Sequence, residues 1–89
     1  MKQSYLEVTY RRGHPLAAYL YLPREKEDKS DRTAKAEPGM VIDFEQSGRP
    51  IGIEITAPSI VTVSDLNRVL TELGAQPISR DDLAPLKAA

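Results

Sequence analysis

The sequence predicts an α+β domain: an antiparallel sheet of about four strands, built as two hairpins, with one C-terminal helix packed on one face. Three observations predict it. Four short segments alternate apolar and polar residues, a later segment carries apolar residues at i, i+3, i+4 and i+7, and turn residues separate the members of each strand pair. Strands joined by tight turns run antiparallel, because a parallel pair needs a crossover of a dozen or more residues.

In Tyr5 to Tyr10, Leu6, Val8 and Tyr10 alternate with Tyr5, Glu7 and Thr9, the pattern of a half-buried strand. Arg11-Arg12-Gly13-His14-Pro15 reads as a turn, and Ala17 to Leu22 as the second strand of a hairpin, with Ala18, Leu20 and Leu22 opposite Ala17, Tyr19 and Tyr21. Residues 24–37, REKEDKSDRTAKAE, hold five basic and five acidic side chains and no large apolar one, so they are expected to form a solvated charged loop. Whether Thr33 to Glu37 extends the next strand is left open by the Pro38-Gly39 turn signal.

Met40 to Glu45 and Ile51 to Ala57 form the second hairpin. Pairing Glu45 with Arg49 would set Ile42 against Gly52 and split the apolar rows between the two faces. The expected register therefore pairs Met40 with Ile55, Ile42 with Ile53 and Phe44 with Ile51, leaving Ser47-Gly48 as a two-residue turn or Gln46 to Arg49 as a four-residue loop. Gly52 then sits mid-strand, where a missing side chain marks a bulge or the close approach of another group.

Thr62-Val63-Ser64-Asp65 reads as a capping box, and Leu66, Val69, Leu70 and Leu73 form the apolar stripe of a helix over Asp65 to Leu73, closed by Gly74. Residues 75–89 form a short extension. There Ser79-Arg80-Asp81-Asp82 repeats the capping pattern, Pro85 limits any further helix to a turn or two, and Ile78, Leu83 and Leu86 are expected to dock. The expected core is Leu6, Val8, Ala18, Leu20, Leu22, Met40, Ile42, Phe44, Ile51, Ile53, Ile55, Leu66, Val69, Leu70 and Leu73.

At 89 residues the chain supports one core and one domain, 1–89. Size scaling gives roughly 5,200 Å² of folded surface against about 14,400 Å² unfolded, a burial that leaves a small domain marginal and gives it reason to dock against a copy or a partner. With no cysteine and one histidine, thiol nucleophiles, disulfides and zinc–thiolate sites are excluded. Twelve Lys and Arg against thirteen Asp and Glu give a net charge of -1, so no overall field steers nucleic acid or an acidic membrane to the chain. The opening MKQSYLEVTYRRGH lacks a continuous apolar stretch, and no later run approaches the ~18 apolar residues of a membrane span. The expectation is a soluble cytoplasmic protein.

Pro38-Gly39-Met40-Val41-Ile42-Asp43-Phe44, followed by Gly48-Arg49-Pro50-Ile51-Gly52-Ile53-Glu54-Ile55, resembles the signature of the bacterial family called domain of unknown function 2283. Tyr10 and Leu16 to Leu22 look like that family's first hairpin, with Leu16 where an Asp is usual, which weakens any role for an acid there. The resemblance covers most of the chain and implies a C-terminal helix, which many longer members carry. It implies no activity. The genomic company of some relatives makes a nucleic-acid-linked regulator, or the neutralising half of a small toxin pair, one alternative function.

Asp43 and Glu54 lie diagonally on the polar face of the second hairpin, the pattern for acid/base work or a hard cation, which gives a second alternative, an enzyme using paired carboxylates. No third acid, histidine or phosphate loop accompanies them, so solvated sheet charges are the simpler reading and no catalytic, cofactor or metal residue is assigned. His14 falls in a turn with no nucleophile beside it. Lys2, Arg11 and Arg12 with Tyr5 and Tyr10 form a basic-aromatic cluster, but Glu7, Asp43 and Glu54 share a face with Tyr5, Tyr19 and Tyr21, which speaks against nucleic acid. Those three tyrosines, joined by Val41, fall on the face opposite the helix. Tyrosine offers large apolar area and a polar tip, so these four residues are the expected interface of a small non-catalytic interaction module that forms a homodimer or binds a small protein partner through this face or a sheet edge.

Overall fold

A computed structural model of the chain describes residues 4–87, with side chains through residue 85. Five strands, β1 (Tyr5–Arg11), β2 (His14–Tyr21), β3 (Arg32–Ala36), β4 (Met40–Phe44) and β5 (Pro50–Ile55), precede helices α1 (Val63–Glu72) and α2 (Arg80–Lys87). All strand pairs are antiparallel, in the order β1-β2-β5-β4-β3. Consecutive hairpins join β3, β4 and β5, and β2, linked to β3 by the charged segment, lies beside β5: the order of a Greek key read backwards.

Two expectations need correction. The sheet has five strands rather than four, because Arg32–Ala36 forms an edge strand inside the segment read as loop. Its inward residues opposite Ile42 and Met40 are Ala34 and Ala36, too small to give an apolar alternation. There are two helices rather than one: Ser79 Oγ accepts the Asp82 N–H, and the helix this starts runs eight residues with Pro85 inside it. Its Leu83 is 1% exposed. The Leu86 side chain and Lys2 lie outside the described residues.

The first hairpin turns on Arg12 and Gly13, at φ 54° and 80° between the paired Arg11 and His14. Two left-handed residues are what a two-residue turn needs to match strand twist. Thr9 pairs with Ala17 and Tyr10 with Pro15, so Leu16 is an extra residue in β2, and it stands 53% exposed.

In the second hairpin the two registers weighed from sequence both occur. Met40, Val41, Ile42 and Asp43 face Ile55, Glu54, Ile53 and Gly52, as expected, whereas Phe44 faces Pro50 rather than Ile51, and the Glu45 N–H donates to the Arg49 carbonyl at 2.9 Å. Ile51 is the extra residue that joins them. It keeps Ile51 and Ile53 both fully buried while Gly48, at φ 96°, closes the turn.

The capping box forms as read: the Asp65 N–H donates to Thr62 Oγ1 at 3.0 Å, and the Thr62 N–H to Asp65 Oδ2 at 3.0 Å. From α1, Leu66, Val69 and Leu70 pack on Leu20, Ile53, Ile55 and Met40 of the sheet. Val61, just before the cap, is fully buried and was absent from the expected core, as was Leu83. Polar groups of α1 hold what surrounds it. Arg68 donates to the Glu37 carbonyl at 2.7 Å in the β3–β4 turn, and the Asn67 amide both donates to and accepts from the Ile78 backbone, at 3.0 and 2.7 Å. Both helices lie on one side of the sheet, where Tyr10 also donates its hydroxyl to the Pro85 carbonyl at 2.7 Å. No helix among the described residues is long and apolar enough to cross a membrane.

Candidate docking face

The register of four strand pairs lays out the face away from the helices. One row across the sheet is Glu7, Tyr19, Glu54, Val41 and Lys35; the next is Tyr5, Tyr21, Gly52, Asp43 and Thr33. The tyrosines come together as a unit. Tyr5 and Tyr21, directly opposite each other, stack with ring centroids 4.5 Å apart and 15° between planes, and Tyr19 meets Tyr21 edge-on at 4.7 Å. Both are favourable aromatic geometries.

Tyr19 owes its position to Gly52. A Cβ built on Gly52 would stand 2.0 Å from the Tyr19 hydroxyl oxygen and 2.3 Å from the adjoining ring carbon, so the ring lies flat over a strand that has no side chain there. From there its hydroxyl reaches across β5 and donates to Asp43 Oδ2 on β4 at 2.5 Å. Of the two alternatives read from sequence for Gly52, close approach is the one filled; the bulged residue is its neighbour Ile51. Burial, then the hydrogen bond to Asp43 and that carboxylate's charge, pushes the Tyr19 hydroxyl well above its ordinary range, with Arg24 pulling the other way. The Tyr21 hydroxyl is raised too, by desolvation first and then by Glu7, to which it donates at 3.3 Å. At neutral pH both hydroxyls are donors.

The arrangement disperses the other sequence candidates. Asp43 and Glu54 are diagonal as expected, but Asp43 is engaged by Tyr19 rather than shared with Glu54 around a ligand. His14 is exposed beside the hairpin turn. Tyr5 and Arg11 stand at opposite ends of β1, and Tyr10 turns to α2, so the basic-aromatic cluster does not assemble among the described residues. Sequence reasoning missed two cations. The Arg24 guanidinium lies 6.0 Å above the Tyr21 ring and donates to the Asp28 carbonyl at 3.0 Å, and Lys35 joins the face because β3 is a strand. Only the five-strand register could have placed Lys35 there.

An apolar groove of about 760 Å³ opens on the other side of the sheet, between Leu20, Leu22 and Pro50 and the α1–α2 connection around Leu73 and Ile78. Arg49 and Asp82 both line it, but the ion-pair partner of Arg49 is Asp28.

These features define a class: a small α+β domain with a Greek-key sheet, helices on one face and a tyrosine–carboxylate surface on the other. Within it, residues 17–58, from β2 through the end of β5, match the family described as protein of unknown function (DUF2283). The matched stretch is narrower than the sequence resemblance implied, leaving out β1, Leu16 and both helices. Comparison with curated proteins and with solved structures gives no match.

Proposed function

We propose that the protein is a non-catalytic interaction module that self-associates through its outer sheet face. The observation that carries this reading is the continuous Tyr5–Tyr21–Tyr19 stack on a face the helices leave uncovered, with Tyr5 49% exposed.

The edges are poorer candidates. Strand β3 is only five residues long and carries Arg32 and Lys35, the charged short edge that resists strand addition, while β1 is engaged by α2 through Tyr10. Glu7, Asp43 and Glu54 on the face would repel phosphate, which favours a protein partner over nucleic acid. The test is light scattering across micromolar concentrations on the wild type, on Tyr19→Lys/Tyr21→Lys, and on Tyr5→Lys/Val41→Lys, which spares the Tyr19–Asp43 bond. A dimer abolished by both pairs supports the reading; a dimer indifferent to both moves the interface elsewhere.

A further inference from the structure

The outer face is lopsided in height and, along one of its rows, in charge, and the two asymmetries run the same way. The β1–β2 half carries the stacked Tyr5 and Tyr21 with the Arg24 guanidinium above Tyr21, and Tyr19 lies flat from it toward β4, while the β4–β3 half carries the shorter Val41, Asp43 and Thr33 beside Lys35. Along the row from Glu7 to Lys35 the acid stands on one outer strand and the base on the other, with β5 midway. Taking the self-association proposed above as its premise, we infer that the dimer's two-fold axis runs roughly parallel to the strands over β5, so that each tall half covers the partner's low half.

That axis exchanges β1 with β3 and β2 with β4. Glu7 then meets the partner's Lys35, Tyr5 the partner's Thr33, and Tyr21 the partner's Asp43. A two-fold perpendicular to the strands sets tyrosines on tyrosines and leaves the low halves apart, with Lys35 over the partner's Thr33. Shape and charge therefore select the same operator, and a self-complementary patch repeats each contact twice. The chosen axis also has a mark of its own. Glu54 lies nearest to it and meets the partner's Glu54, an apposition of like charges that weakens the dimer. Its strand partners are Tyr19 and Val41, with Asp43 on the diagonal, so among the described residues no cation stands opposite it in the sheet.

The experiment is sedimentation equilibrium on the wild type, Glu7→Lys, Lys35→Glu, the double swap Glu7→Lys/Lys35→Glu, and Glu54→Gln, with circular dichroism to verify folding. Each single swap turns two attractive pairs into two repulsive ones and should weaken the dimer about tenfold, the double swap should recover to within about threefold of wild type, and Glu54→Gln should tighten it. A dimer in which the double swap is as weak as the singles, or which Glu54→Gln leaves unchanged, overturns this axis while the outer-face reading stands. A wild type that stays monomeric at every concentration overturns the reading and the axis with it.

Discussion

At the scale of single residues, Gly52 and Glu45 set most of the local geometry around the second hairpin. Gly52→Ala forces the Tyr19 ring off β5 and breaks its bond to Asp43, so it should cost about 1–3 kcal/mol in denaturant melts. Combining it with Tyr19→Ala should cost less than the sum, because the clash is then gone. Glu45 gathers the turn, accepting from Ser47 Oγ and from the Arg49 N–H at 2.8 Å. The Ser47 hydroxyl first, then the Arg49 and Ser47 backbone N–H groups and the Arg49 charge, hold its carboxyl at about 2 against an ordinary 4.5. A depressed folded value means that the carboxylate's contribution is complete above pH 4.5 and is lost as pH falls from there through about 2. Glu45→Gln should therefore flatten the acid limb of a stability–pH curve and leave the alkaline limb unchanged.

At the scale of elements, the central strand is the least forgiving. Ile53 is fully buried between Leu20 and Ile42, so Ile53→Asp should unfold the domain or cost more than about 4 kcal/mol, whereas Glu54→Ala, on the opposite face, should shift the melting midpoint little. The charged connection behaves as two parts. Asp28 receives the Glu25 N–H at 2.8 Å and pairs with Arg49, while Arg32 and Lys35 are held in β3. Limited trypsin should cut first after Lys26 or Lys29, both exposed in the loop, and only later after Arg32 or Lys35; the reverse order would mean that β3 frays. Period-two alternation made β1, β2, β4 and β5 legible because each has one large apolar row, and the capping box located α1 for the same local reason. Alanine-faced β3 carried no such signal. The bulges at Leu16 and Ile51 gave no signal of their own in the alternation, Gly52 beside Ile51 being the one hint.

At the scale of the whole molecule, a single five-stranded layer has two faces and its helices cover one. The tyrosines and acids of the other face were readable from alternation, but their joint geometry was not: it depends on Gly52 admitting Tyr19, on Arg24 above Tyr21 and on Lys35 at the far strand. An uncovered aromatic face on so small a domain is what the proposed self-association would bury, and that proposal joins stability to function in one interface. Sedimentation equilibrium of the wild-type protein tests this most directly. The account predicts a concentration-dependent mass that rises from 9.9 kDa to twice that value, with the upper plateau lost in Tyr5→Lys/Val41→Lys. A mass fixed at 9.9 kDa throughout would contradict it.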